Sequence, residues 1–147
     1  MSSAAHFFSD KEKKDIKHAI EHAEKNTSGE IRVHVDEKCK GDVLPVAQKV
    51  FTHLKMHHTK DRNAVLFYLA VRDRKFAIIG DQGIHNKVPD GFWDAIRDKM
   101  TDKFKEGRFA EGLCEGIRDA GMQLKAHFPW TDGDKNELSD ELTFDSK

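Results

Sequence analysis

The sequence predicts an α/β chain, a three-layer α/β/α sandwich around a small mixed central sheet. Three observations point there. Segments with apolar residues at helical spacing alternate with short strand-like runs. One pair of those runs is joined through a helical stretch, which makes the strands parallel by a right-handed crossover. Another pair is separated only by Arg72-Asp73-Arg74, which allows nothing but an antiparallel hairpin. At ~100 to 200 residues per domain, the 147 residues make one domain. It is expected over residues 1–130, with 131–147 as an acidic, flexible tail.

Ser9 with Glu12 three residues on forms a capping-box pattern, and Ile16, Ala19, Ile20 and Ala23 repeat at helical spacing, so a helix is expected from about Asp10 to Lys25. Thr27, Ser28 and Gly29 end it. Ile31, Val33 and Val35 alternate with Arg32, His34 and Asp36, the period-two mark of a strand with one face buried. After Gly41 and Asp42, the stripe Leu44, Ala47, Phe51 and Leu54 predicts a second helix to about His57, with Pro45 tolerated in its first turn. Ala64 to Val71 is apolar on both alternations, a central strand covered on both faces, with Tyr68 its only polar side chain. Lys75 to Gly80 returns beside it. Pro89, Asp90 and Gly91 open a helix whose stripe is Phe92, Ile96, Met100 and Phe104. The last helix, about Phe109 to Ala126, carries Gly112 and Gly116, a spacing that lets another backbone pack closely. Thr131 to Lys147 is polar and acidic, with only Leu138, Leu142 and Phe144 as large apolar groups.

Charge and length exclude several classes. Lys and Arg number 25 against 26 Asp and Glu, so no strong net field draws nucleic acid. The longest apolar stretch is far below the ~20 residues that span a bilayer, and Met1 to Phe8 lacks the charged start of a signal peptide. The expectation is a soluble, cytoplasmic chain without direct membrane insertion. Cys39 and Cys114 lie far apart, without Cys-x-x-Cys spacing, and read as unpaired thiols.

His18-Ala19-Ile20-Glu21-His22 matches a zinc-peptidase pattern literally, but both His fall opposite the apolar stripe and have no third ligand. Gly80-Asp81-Gln82-Gly83 fits no phosphate-loop spacing and reads as a tight turn needing positive φ. Serines stand at termini, caps or turns without a nucleophile elbow. Topology brings together a different set. The hairpin returns to the level where the two parallel strands begin, so Glu30, Asp61, Asn63, Asp81, Gln82 and Asp90 gather on one sheet edge. Carboxylates, an amide and turn carbonyls are the oxygen donors that Ca²⁺ or Mg²⁺ requires. The competing reading of the same residues is that Asp90 only caps its helix and Glu30 is only solvated at the edge. Ligands of open α/β sheets usually sit at the opposite end, here near Asp36, Glu37, Gly41, Asp42 and the Arg72-Asp73 turn.

Several segments together resemble the TPM domain family. They are Ser28-Gly29-Glu30-Ile31, Asn63-Ala64-Val65-Leu66, Asp73-Arg74-Lys75, Gly80-Asp81-Gln82-Gly83-Ile84, Val88-Pro89-Asp90 and Phe104-Lys105-Glu106-Gly107-Arg108-Phe109 with Gly112-Leu113. The resemblance covers about Ser28 to Phe128. It implies a Rossmann-like α/β/α sandwich, a divalent-cation site often taken to be calcium, and the acid-phosphatase activity proposed for plant members. Arg62-Asn63-Ala64 stands where many members have Asp-Asn-Gly, so a cation replaces one acidic ligand. Without a signal peptide or membrane anchor, the chain is similar to a soluble bacterial branch. The resemblance also suggests a membrane-associated, LemA-type partner. Three readings follow: a module binding Ca²⁺ or Mg²⁺ through Glu30, Asp61, Asn63, Asp81 and Asp90; a metal-dependent phosphatase acting on phosphate esters; and a protein-interaction module without a metal role.

Overall fold

The computed structural model describes residues 4–89, 91–130 and 142–144, without the side chain of residue 5. A short helix α1 (Ala4–Phe7) precedes α2 (Asp10–Ala23). The capping box is present at α2: the Ser9 hydroxyl accepts from Glu12 N–H at 3.1 Å, and the Ser9 N–H donates to Glu12 Oε1 at 2.9 Å. There follow β1 (Glu30–Asp36), α3 (Val43–His53), a 3₁₀ turn (Met56–His58), β2 (Ala64–Ala70) and β3 (Lys75–Gly80). The chain continues through α4 (Gln82–His85), α5 (Asp94–Lys105), α6 (Phe109–His127) and β4 (Thr143–Phe144). The sheet order is β3-β2-β1-β4, with β1 parallel to both β2 and β4, and β3 antiparallel to β2.

Alternation along the strands sorts the core into two layers. Ile31, Val33, Val35, Val65, Phe67 and Leu69 pack against α2, α5 and α6. Ala64, Leu66, Tyr68 and Ala70 face Ala47, Val50 and Phe51 of α3, with Met56 beneath. The expected three-layer α/β/α architecture is therefore present. Close helix contact at the α6 glycines is present as well: a Cβ on Gly116 would lie 2.6 Å from Met100 Sδ, and one on Gly112 2.8 Å from Lys103 Cβ.

Five expectations require correction. The second helix stops at His53, because Lys55 takes a left-handed φ of 57° and the chain passes into the 3₁₀ turn. The fifth helix begins at Asp94 rather than at Pro89, after a turn in which Gly91 has φ 77°. Gly80 and Gly83 do not have positive φ; Asp81 caps α4, and Gly83 is required by space. A Cβ there would sit 2.3 Å from the Asp61 carbonyl oxygen. β1 is not open on one face: its polar alternation is buried too, with Glu30, His34 and Asp36 at 2%, 4% and 5% exposure. Finally, the segment taken as a tail supplies Thr143–Phe144, which pairs with His34 and Val35, and Leu142 packs on the core. The rest of 131–147 lies outside the described residues.

Candidate functional site

The expected acidic edge is built by strand register. Glu30 is the Cα partner of Ala64, and the Asp81 N–H donates to the Ala64 carbonyl at 3.0 Å. Glu30, Ala64 and Asp81 thus form one cross-strand row at the start of the parallel strands. Asn63 lies one residue before that row, and its amide donates to Ser28 Oγ at 3.1 Å. Glu30, Asn63 and Asp81 are 2%, 1% and 6% exposed. Asp61 is exposed and lines an open depression with Ser28, Gly83 and Asn86. Asp90 lies outside the described residues.

Arg62 decides the electrostatics of this edge. Its left-handed φ of 51° turns the side chain onto Asp81. Arg62 Nε donates to Asp81 Oδ2 at 2.7 Å, and its second terminal nitrogen donates to Oδ1 at 3.0 Å. The hydrogen bond to Asp81 raises the Arg62 pKa, so the guanidinium is held charged. Gln82 N–H adds a third donor to Oδ1 at 2.8 Å. Such a forked pair is the strongest geometry open to a carboxylate and a side-chain cation. The Arg62 side chain is itself 39% exposed, so the partner that neutralises Asp81 stands at the protein's surface.

A second polar cluster, whose connections the sequence did not reveal, lies at the opposite end of β1. His34, Tyr68 and Thr143 are register partners across three strands. His34 Nε2 lies 2.8 Å from Asp36 Oδ1, and the Tyr68 hydroxyl donates to Asp36 Oδ2 at 2.6 Å. Because the ionised carboxylate only accepts, Nε2 carries the ring proton. His34 Nδ1 lies 2.7 Å from Thr143 Oγ1, whose hydroxyl also donates to the Val33 carbonyl at 3.3 Å. Burial, and then the bond to Asp36, push the Tyr68 phenol above its ordinary pKa. Tyr68 as the lone polar residue of an apolar strand, and Asp36 at the carboxyl end of β1, were the signals in the sequence.

The remaining motifs stay apart. His18 and His22 are exposed along an open groove between α2 and α6, beside Cys114 and Arg118. Cys39 and Cys114 are free thiols. Among the described residues no three His, Cys, Asp or Glu side chains converge as a metal cage would, and no helix is long and apolar enough to cross a membrane.

Comparison with known proteins follows the same lines. The family model of the TPM domain matches residues 1–123. The NMR structure of the BA42 protein from the psychrophilic bacterium Bizionia argentinensis is 47% identical, with TM-score 0.89, over 95% of this chain and 96% of that one. The N-terminal domain of the cg2496 protein from Corynebacterium glutamicum has TM-score 0.64 at 16% identity, over 90% and 81% of the two chains. An N-terminal domain from P. gingivalis has TM-score 0.67 at 19% identity, over 84% and 83%. These last two share the fold. Comparison with curated proteins returns no match.

Proposed function

The chain belongs to the TPM domain family, and on that premise we propose that it is a module binding Ca²⁺ or Mg²⁺ at the edge formed by Glu30, Asp61, Asn63, Asp81 and Asp90. The observation that carries the reading is the burial of two carboxylates, Glu30 and Asp81, in one cross-strand row beside a buried amide. Buried carboxylates are costly unless a cation or several donors answer them. The donor set fits a hard cation in kind: carboxylate oxygens, the Asn63 side-chain oxygen and backbone carbonyls of the 61–62 turn. A bound ion would neutralise the carboxylate charge that Arg62 now answers.

In this reading Arg62 and the metal ion are rivals for Asp81. Arg62 already presents its side chain to water, so it can yield the carboxylate without leaving its own charge buried. The rivalry gives the proposal its test. Titrating ¹⁵N-labelled protein with Ca²⁺ and then Mg²⁺ should give saturable amide shifts at Glu30, residues 61–64 and residues 81–84. Arg62→Gln should tighten binding by about tenfold, the equivalent of ~1.4 kcal/mol, and Asp81→Asn should weaken it by a similar factor. If those amides stay still in both the parent and Arg62→Gln, no cation binds at this edge.

A further inference from the structure

A cavity of about 200 Å³ opens at the other end of the sheet, where β2 runs out and the hairpin turns back into β3. Its walls are Leu69, Val71, Phe76, Phe104 and Phe109. Phe104 meets Phe76 edge-on and Phe109 at a tilt, each with ring centroids 5.1 Å apart. An apolar cavity of ~150 Å³ already admits benzene, so this one has room for a single aromatic ring. Aromatic walls in such contact receive a further ring by the same edge-to-face geometry.

The mouth carries a distinct chemistry. Arg74, Lys75 and Lys105 line it, and no carboxylate does. Lys75 donates to the carbonyls of Cys39 and Gly41 at 3.1 and 2.7 Å, which fixes it. Arg74 and Lys105 form no side-chain hydrogen bond or ion pair among the described residues. Arg62, Arg72, Arg97, Lys99, Lys103 and Arg108, by contrast, are each paired with an acid. Arg74 also sits at φ 54°, a left-handed position that glycine or asparagine would occupy more cheaply. A left-handed backbone position, a guanidinium with no partner among the described residues and an apolar hollow coincide at the carboxyl end of the parallel strands, where ligands of α/β sheets bind.

We infer that this cavity binds a small aromatic acid, its ring inside among Phe76, Phe104 and Phe109 and its anionic head between Arg74 and Lys105. The head is a carboxylate or a phosphate, either of which a guanidinium fork can grip with two parallel hydrogen bonds. The site is separate from the acidic edge and stands whether or not that edge takes a metal ion.

The test uses the full chain and four probes: phenylacetate, phenyl phosphate, benzyl alcohol as the uncharged ring, and acetate as the head alone. Saturable ¹⁵N shifts at Arg74, Lys75, Thr101, Lys105 and Phe109 are expected for the two aromatic anions. Benzyl alcohol and acetate should each bind at least about tenfold more weakly, because each lacks one half of the recognition. A double Arg74→Gln and Lys105→Gln variant, both changes being at exposed positions, should lose about tenfold for the anions and leave benzyl alcohol unaffected. No saturable shift with either aromatic anion overturns the inference. So does equal binding of phenylacetate and benzyl alcohol, or affinity indifferent to the double variant.

Discussion

Asp81 and Asp36 are the same residue at nearly the same burial, 6% and 5% exposed, at opposite ends of one sheet, yet they are held in opposite ways. Asp81 is gripped by Arg62, whose side chain is 39% exposed. Asp36 is gripped by His34 and Tyr68, which are 4% and 0% exposed. Depth alone therefore does not tell which carboxylate can meet a ligand; the exposure of its partner does. A carboxylate whose partner can swing into water can change partners, while one locked between two buried rings serves the fold.

The largest effect should come from breaking the locked end. Asp36→Ala leaves a buried imidazole and a buried phenol without their acceptor, and should destabilise the fold by about 3–5 kcal/mol. Urea unfolding measures it. A loss below about 1 kcal/mol would mean that the rings find water or other partners, and the contrast with Asp81 would collapse.

The next effect sharpens the other end. Gly83→Ala puts a methyl group against the carbonyls of Asp61 and Arg62, which must move to receive it. Overpacking of this kind costs about 1–3 kcal/mol. Because Arg62 is carried by the displaced turn, the variant's amide spectrum should also change at Asp81 and Gln82, whereas His34 and Tyr68 stay unaffected.

The smallest effect at neutral pH is at Tyr68. Tyr68→Phe removes one hydrogen bond and should cost about 1 kcal/mol. Its consequence grows with pH. The folded chain holds the phenol proton above its ordinary pKa, while the unfolded chain releases it at about pH 10. The stabilisation is therefore full below about pH 10 and is lost at up to ~1.4 kcal/mol per pH unit above it. Tyr68→Phe should flatten this alkaline limb. The chain has one tyrosine, so phenolate absorbance reports Tyr68 alone and should rise only as the protein unfolds. Burial also raises the Cys114 thiol, and a limb that survives in Tyr68→Phe would belong there.

The parts of the fold legible in the sequence were those where one local rule acts alone. Ser9 with Glu12 announced the start of α2, the doubly apolar run announced β2, and Gly112 with Gly116 announced close helix packing. The acidic edge was legible as a gathering of residues, since strand order and one hairpin place Glu30, Asn63 and Asp81 at the same level. What escaped was decided by neighbours distant in the chain. Alternation in β1 is the same whether its polar side meets water or a buried tyrosine. The forked pair between Arg62 and Asp81 depends on a left-handed backbone at a residue with no glycine or asparagine to advertise it. The strand at Thr143 is two residues long and finds its partner His34 across a separation of 109 positions.

That short strand matters beyond the contacts it makes. An apolar strand with free backbone groups along its rim is a template on which other chains can add. β1 carries Ile31, Val33 and Val35, and would offer such a rim on the side away from β2. Two features blunt it: Glu24 Oε2 takes the Ile31 N–H at 2.8 Å, and Thr143–Phe144 lies against His34 and Val35. The C-terminal residues thus act as a guard against self-association, and shortening the chain before Thr143 would exchange an internal pairing for an invitation to aggregate.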